Sequence, residues 1–300
     1  MKDRWLAIVN PAAGGGRAGE LAPAALASLA QRGLALDLVS TSAAGHAVSL
    51  ARTAYAQGYR RFLAVGGDGT AHEIVNGVFP QALEGGGVAL GFLPLGTGNS
   101  FLRDFSDQGP SAAVEALLAG RKRPADLIRL THAAGQTYSL NLLSIGFTAD
   151  VAALVNRRFK PLGELGYLLG VLASLIRLRR RAFPLRLDAE PGWDRGRYLF
   201  LSFNNTKFTG GKMMIAPHAD PTDGLIEVVR WGPIGRLGLI HNLPRLYDGT
   251  HIEHPLASRR AARHVEFDLD SPVDIMIDGE VATLHCRALD ILPAALDVYV

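Results

Sequence analysis

Three glycine-rich segments, each directly after an apolar run, limit the fold of this chain more than any other feature. The segments and the runs before them are Asn10–Gly16 after Trp5–Val9, Gly66–Thr70 after Phe62–Val65, and Leu95–Asn99 after Val88–Leu93. Helical periodicity follows the loops, so residues 5–120 are predicted to form repeated strand–loop–helix units. Such units imply right-handed crossovers and a mainly parallel sheet, whose loops meet at the edge where these folds bind ligands.

The pattern changes after residue 125 to short strand-like runs joined by turn residues. These runs are Leu127–Leu130, Thr137–Leu143, Leu185–Asp188, Tyr198–Phe203, Leu225–Trp231, Val265–Leu269 and Val273–Ile277. They predict an antiparallel β-sandwich with a helical insertion near 151–181. We therefore predict a three-layer α/β domain over 1–125 and a β-sandwich domain over 126–300, with about 288–300 packing back on the first domain.

The glycine loops favour an anionic ligand. Glycine lets backbone N–H groups approach a phosphate group closely, and the start of the following helix attracts negative charge. Taken alone, Gly66–Thr70 is equally well explained as a tight turn with Asp68 as a helix N-cap. Three such loops on successive strands, with Thr41 opening a fourth, favour anion binding over that alternative.

Composition and charge narrow the class of protein. Hydrophobic residues make up 48% of the chain and charged residues 20%, which supports packed cores, and the net charge of +3 is too small to indicate nucleic acid binding. Cys286 is the one cysteine, so we expect a reducing compartment. The N-terminal apolar run of five residues is too short for a secretory signal, and Leu162–Leu178 is too short to span a bilayer. We therefore expect a cytoplasmic protein.

Several motifs, taken in order, resemble the diacylglycerol-kinase catalytic-domain family, which includes bacterial lipid kinases. The segments are Asn10-Pro11…Gly14, Gly66-Gly67-Asp68-Gly69-Thr70 with Glu73, Leu95-Gly96-Thr97-Gly98-Asn99, Ala216-Pro217…Asp223-Gly224-Leu225, and Asp278-Gly279-Glu280. NAD kinases and phosphofructokinases are similar in the second segment alone. The family implies an N-terminal nucleotide-binding domain and a C-terminal β-rich domain. It also implies transfer of the ATP γ-phosphoryl group to a lipid hydroxyl in the cleft between the domains.

The resemblance and the loops together give the predicted nucleotide contacts. They are Asn10, Thr41, Gly66, Gly67, Asp68, Gly69, Thr70, Ala71, His72, Glu73, Gly96, Thr97, Gly98 and Asn99. The chain departs from the family at two positions, because His72 stands where asparagine is common and Ser100 where aspartate is frequent.

The family also implies roles for several carboxylates. Glu280 matches the general base that deprotonates the lipid hydroxyl, and Asp68 either holds the Mg²⁺ of the nucleotide or shares the base role. Asp126 matches a further acidic position that completes the Mg²⁺ shell. From local sequence alone, Asp278-Gly279 is typical of a hairpin turn and Asp126 of a linker N-cap or solvated turn.

Residues 220–225 offer a second cation site. Two carboxylates and the turn carbonyls suit a hard, oxygen-ligated cation. The family implies a structural Mg²⁺ held by Asp220, Asp223 and the carbonyl of Leu225, and an Asp-Gly turn without metal is the alternative.

The segment 157–181 carries seven basic residues and one acidic residue, with leucines at helical spacing between the basic clusters. One interpretation is a core helix with a solvated basic end. The other is an interfacial helix that docks on an anionic membrane surface.

The leading hypothesis is an ATP- and Mg²⁺-dependent lipid kinase, cytoplasmic and peripherally membrane-associated, with a diacylglycerol-like or sphingoid acceptor. One alternative is a soluble kinase of the NAD or sugar-phosphate type. Another is a non-catalytic nucleotide- or lipid-binding regulator, against which the presence of Asp68, Thr97 and Glu280 argues. The oligomeric state, including a homodimer, is left open by the sequence.

Overall fold

The computed structural model describes residues 2–106, 110–155, 170, 173–174 and 180–300. The chain divides into two compact units, one formed by Met1–Leu127 with Pro293–Val300 and the other by Ile128–Leu292. In the described part, no helix is both long enough and apolar enough to cross a membrane.

The first unit contains the predicted parallel sheet. Its strands are β1 Lys2–Val9, β2 Leu36–Ser40, β3 Tyr59–Gly66 and β4 Ala89–Pro94, parallel in the order β2-β1-β3-β4. Asp297 and Val298, close to the end of the chain, pair in parallel with Ala89 and Leu90 of β4. The carboxyl ends of β1, β3 and β4 therefore lie at one edge, where the glycine loops leave the sheet.

Helices cover both faces of this sheet. They are α1 Arg17–Gln31, α2 His46–Ala56, α3 Asp68–Val78, α4 Gln81–Glu84 and α5 Pro110–Leu118, with a 3₁₀ turn over Phe101–Asp104. The alternate residues Trp5 and Val9 of β1 pack with Leu26 of α1 and Leu117 of α5. Successive side chains of a strand point to opposite faces of the sheet. The helices α2 and α3 contact β1 and β3 and cover the face opposite to α1 and α5. The three-layer α/β prediction is confirmed.

The second unit is an antiparallel sandwich. Its strands are the later part of β5 Lys122–His132, β6 Gly135–Ser139, β7 Leu142–Gly146, β8 Arg181–Ala182, β9 Leu185–Leu187, β10 Arg197–Tyr198, β11 Phe200–Asn204, β12 Phe208–Thr209, β13 Met213–Met214, β14 Ile226–Trp231, β15 Ala257–Ala262, β16 His264–Phe267, β17 Val273–Ile277, β18 Glu280–Leu284 and the earlier part of β19 Cys286–Tyr299. One layer runs β15-β14-β11-β7-β17-β18. The other contains β9-β16-β19 and the pair β5-β6.

The sandwich core is apolar and receives side chains from both layers. Leu143, Phe203 and Ile275 come from the first layer, and Ile128 and Val265 from the second. The short helices of this unit are α6 Phe147–Leu154, α7 Arg236–Asn242 and α8 Arg245–Asp248, followed by a 3₁₀ turn over Thr250–Glu253.

Cys286 lies in this core. Burial raises the pKa of its thiol to about 12, because the thiolate would lose its hydration. The thiol is therefore protonated at neutral pH and is a poor nucleophile.

The start of the helical insertion predicted near 151–181 is helical, since α6 runs from Phe147 to Leu154, and most of the segment lies outside the described residues. The turn residues Pro221–Gly224 do not join two strands of a hairpin. The strand after them, β14, pairs with β11 and β15 and not with the strand before them.

Candidate functional site

The three glycine loops of the first unit lie against one another. The backbone N–H of Gly96 donates to the carbonyl of Gly66 at 2.8 Å, and that of Asn10 donates to the carbonyl of Val65 at 2.9 Å. A Cβ atom on Gly96 would lie 2.4 Å from the Cα of Gly67, and one on Gly14 would lie 2.7 Å from the carbonyl oxygen of Leu95. Glycine is therefore required for the close approach of the loops, independently of any ligand.

The hydroxyl of Thr70 is the clearest indication that these loops bind a ligand. Thr70 is buried, and its hydroxyl oxygen has no hydrogen-bond partner among the described residues. A Cβ on Gly66 would lie 2.4 Å from this oxygen. An unpaired buried hydroxyl is costly, and a phosphate oxygen is a suitable acceptor for it. Thr70 also lies in the first turn of α3, at the end of the helix that attracts negative charge.

Asp68 contacts the loop that follows β4. Its carboxylate accepts hydrogen bonds from the backbone N–H of Ser100 at 2.9 Å and of Phe101 at 3.3 Å, at the start of the 3₁₀ turn. Gly67 is the N-cap residue of α3, so the interpretation of Asp68 as the cap of its own helix is wrong, and Asp68 instead caps the 3₁₀ turn. α3 begins at Asp68 itself, within the segment predicted as a loop.

Glu73 and Thr41 are held by the neighbouring strand and helix. The Glu73 carboxylate accepts hydrogen bonds from the backbone N–H of Gly45 at 2.8 Å and of Ala47 at 2.9 Å, and so caps the start of α2. Thr41 is buried, and its N–H donates to the carbonyl of Val9 at 2.8 Å. Glu73 therefore has a structural role that the sequence did not predict, because its partners are distant along the chain.

The remaining predicted nucleotide contacts lie on the same loops. The side chain of Asn99 donates to the carbonyl of Gly96 at 3.1 Å, and its backbone is left-handed with φ 49°. Thr97 is exposed, and the Asn10 side chain accepts a hydrogen bond from Ala12 N–H at 3.2 Å. The structure thus brings these residues to one edge of the sheet, while their contacts to ATP stay predictions.

Asp126 is buried in the first unit. One of its carboxylate oxygens accepts a hydrogen bond from the backbone N–H of Ala294 at 2.7 Å. This contact holds the returning chain end to β5, which is a structural role. Its role in binding Mg²⁺ stays a prediction.

Asp278 organises the turn that precedes Glu280 in the second unit. Its carboxylate accepts hydrogen bonds from the hydroxyl of Ser139 at 2.6 Å and from the backbone N–H groups of residues 140, 141 and 142 at 2.9, 2.9 and 3.1 Å. Asp278 and Gly279 have φ 48° and 95°, as a two-residue hairpin turn requires. The hairpin interpretation of Asp278-Gly279 is therefore confirmed.

We expect Asp278→Asn to lower the free energy of unfolding by about 1–3 kcal/mol, because an amide nitrogen would replace one acceptor oxygen among these donors. Urea denaturation followed by circular dichroism measures the change. Asp274 of the same hairpin accepts a hydrogen bond from the Thr283 hydroxyl and is the matched control. Asp274→Asn should change stability by at most about 0.5 kcal/mol, and equal losses in the two variants would contradict the anchoring role of Asp278.

Glu280 is the first residue of β18 and is exposed. A cavity of about 150 Å³ lies beside it, and Gly279, the residue before Glu280, is part of its lining. The other lining side chains are largely apolar, such as Leu142 and Met276, with the hydroxyls of Ser144 and Thr148 among them. An exposed carboxylate next to an apolar cavity can accept a proton from a hydroxyl group carried by an apolar molecule.

The turn at residues 220–225 is built from local hydrogen bonds. One oxygen of Asp220 accepts from the N–H of Thr222 at 3.0 Å and from its hydroxyl at 2.7 Å, and one oxygen of Asp223 accepts from Leu225 N–H at 2.9 Å. Both carboxylates are exposed. The described residues contain no group of three or more His, Cys, Asp or Glu side chains that could hold a metal ion. The structural Mg²⁺ site stays a prediction.

Comparison with known sequences gives related proteins along the whole chain. The profile of the diacylglycerol kinase catalytic domain matches residues 4–130, and that of the YegS C-terminal NAD kinase beta sandwich-like domain matches residues 141–300. The chain is 30% identical over 295 residues to a diacylglycerol kinase from Mycobacterium tuberculosis strain H37Rv, covering 97% of this chain and 93% of that protein. It is 33% identical over 264 residues to "Probable lipid kinase YegS-like" from Pseudomonas fluorescens strain Pf0-1, covering 87% and 82%.

A solved structure shares the fold. The chain superposes on a crystal structure of a diacylglycerol kinase from Bacillus anthracis strain Sterne with a TM-score of 0.72 and 18% identity, covering 99% of this chain and 96% of that one.

Proposed function

Because the chain belongs to the diacylglycerol kinase catalytic-domain family of lipid kinases, we propose that it transfers the γ-phosphoryl group of ATP to a hydroxyl group of a lipid. The hydroxyl oxygen forms a bond to the γ-phosphorus, the bond from that phosphorus to ADP breaks, and the hydroxyl proton passes to the protein. Family membership favours this reaction over phosphorylation of NAD or a sugar phosphate.

The unpaired hydroxyl of Thr70, in contact with the mutually packed glycine loops, is the observation that supports ATP binding best. Thr70 donates its hydroxyl hydrogen to a phosphate oxygen, and backbone N–H groups of the glycine loops donate alongside it. The chain has no lysine-containing P-loop, so these backbone groups and the threonines carry most of the phosphate binding.

Mg²⁺ fits this site when it binds together with the nucleotide. Proteins usually bind Mg²⁺ through one or two carboxylates together with substrate phosphates, so the protein needs to supply only one or two carboxylates. Asp68 is the carboxylate at the loops, and Asp126 is the second candidate. When bound, Mg²⁺ neutralises charge on the transferring phosphoryl group.

Glu280 is the proposed general base. Its exposed carboxylate takes the proton of the lipid hydroxyl, and the hydrogen bonds of Asp278 fix the turn from which Glu280 projects. The apolar cavity lined by Gly279 receives part of the acceptor. A diacylglycerol-like or sphingoid lipid has both the hydroxyl and the apolar chain that this arrangement needs.

A lipid acceptor requires contact with a bilayer, so we also propose peripheral membrane association. The segment 157–181 predicted for this role lies mostly outside the described residues. Of its basic side chains, Arg180 and Arg181 are described; Arg180 donates to the carbonyl of Ile234 at 3.3 Å, and Arg181 pairs with Asp150 at 3.4 Å.

Incubation with γ-labelled ATP, Mg²⁺ and a detergent-solubilised lipid extract tests the proposed function. We expect label in the organic phase, lost when EDTA replaces Mg²⁺. A parallel reaction with NAD in place of lipid is the control. Label in NADP and none in lipid would assign the soluble-kinase alternative, and no transfer to either would assign the non-catalytic one.

A further inference from the structure

The second unit exposes an apolar stripe on α7 and α8. Leu237 is 83% exposed and Ile240 is 44% exposed, and Pro244 and Tyr247 are also exposed. These residues recur at intervals of three and four, so they share one side of the helical run. Of the eight large apolar side chains that are exposed within the described residues, four lie between 237 and 256. Clustering of this kind marks an interaction surface, unlike single exposed leucines.

The stripe is not the core-facing side of the helices. Leu239 and Leu246 are buried and pack on Trp231, Leu199 and Phe147. The helical run is therefore held in place by one apolar side and presents a second one outward. Core packing does not explain the second side.

Arginines lie beside the Leu237 end of the stripe. A depression of about 550 Å³ beside Leu237 is lined, among the described residues, by Arg180, Arg197, Gly235, Arg236, Leu237 and Gly238. Three of these residues are cationic and none is acidic. Arg245 adds a further exposed cation between the outward residues of the run. The single acidic residue of the sequence 235–248 is Asp248, at its end, where it accepts hydrogen bonds from Thr250.

We propose that this surface docks on an anionic phospholipid bilayer. Lipid phosphates occupy the arginine-lined depression, and Leu237 and Ile240 enter the interface between headgroups and acyl chains. Exposed apolar side chains within a basic rim have the chemistry of an interfacial segment. The bilayer explains both features at once, whereas a second protein chain would need a complementary acidic and apolar face. The inference rests on the proposed function, because a lipid kinase must reach its acceptor in a membrane.

The test is sedimentation with phosphatidylcholine vesicles that contain about one third phosphatidylglycerol. Wild-type protein should sediment with these vesicles and much less with pure phosphatidylcholine. The double variant Leu237→Ser/Ile240→Ser should bind about tenfold or more weakly. The matched control is Leu21→Ser/Leu38→Ser in the first unit, where the two side chains are 43% and 58% exposed, and it should bind like wild type.

A second variant tests the electrostatic part. Arg180→Gln/Arg197→Gln should weaken vesicle binding by about fivefold for each charge at low salt, with a smaller effect at high salt. Binding by the apolar double variant equal to that of wild type would overturn the proposal. Absence of vesicle binding by the wild-type protein would also overturn the proposal. The same holds if light scattering shows that the apolar double variant changes from a dimer to a monomer while its vesicle binding is intact.

Phosphorylation of detergent-solubilised lipid separates this inference from the proposed function. The Leu237→Ser/Ile240→Ser variant should retain wild-type turnover there, because detergent removes the need for docking. Its melting temperature should match that of wild type, since both side chains are exposed. If wild type binds vesicles but phosphorylates no lipid, the proposed function fails and the docking surface stands.

Discussion

Replacing Glu280 by glutamine is expected to lower the turnover number by about 10² to 10⁴, the usual contribution of proton transfer by a positioned side chain. Glutamine preserves the size of the residue but cannot accept a proton at neutral pH. The affinity for ATP should change little, because the proposed partner of Glu280 is the acceptor hydroxyl. Steady-state kinetics with saturating lipid and a separate titration of nucleotide binding measure the two effects.

Glu253→Gln is the matched control for this experiment, since Glu253 is another exposed glutamate of the second unit. It should leave turnover unchanged. Asp68→Asn should weaken binding of Mg²⁺-ATP as well as slow the reaction, and excess Mg²⁺ should restore part of the loss. Nearly full turnover in Glu280→Gln, beside an inactive Asp68→Asn with normal nucleotide affinity, would assign the base role to Asp68 instead.

The second large effect is expected from Gly67→Val, which should abolish measurable ATP binding. A Cβ atom at this position would already lie 3.3 Å from the Cα of Gly96, and the valine methyl groups would extend into the space beside the loops. Gly98→Val, on the third loop, should have the same effect. Isothermal titration calorimetry with Mg²⁺-ATP measures the loss.

Gly192→Val is the control for these variants. No atom lies within 4 Å of a Cβ built on Gly192 in the described structure, so the substitution should be tolerated. Thermal melting shows whether each variant is folded at the temperature of the titration. Near-normal ATP affinity in both Gly67→Val and Gly98→Val would refute the assignment of the loops to the nucleotide.

The sequence predicted the architecture well because periodicity and turn residues are local signals. The run Val273–Ile277 is a strand with those bounds, and the turn after it has the geometry that Asp-Gly favours. The predicted loop Gly66–Thr70 is too long, because α3 begins at Asp68. Gly69 and Thr70 are weak helix formers, but the first turn of a helix tolerates them because its N–H groups have no intrahelical acceptors.

The parts of the candidate site that could not be predicted depend on contacts between distant residues. The hydrogen bonds from Ser100 and Phe101 to Asp68 span more than thirty positions, and those to Asp278 come from residues more than 130 positions earlier, where β6 connects to β7. No local pattern identifies such partners. The exposed stripe at Leu237 was also missed, because periodicity alone does not show which apolar side of a helix faces the core.

The bond between Asp68 and the 3₁₀ turn has a thermodynamic consequence. The turn over Phe101–Asp104 begins where the N–H groups of Ser100 and Phe101 donate to the charged carboxylate of Asp68. A ligand that changes the charge on the Asp68 carboxylate must therefore change the stability of the turn. Ligand affinity and turn stability are linked reciprocally. A substitution that loosens the turn would change the affinity for such a ligand by the same factor, without contacting it.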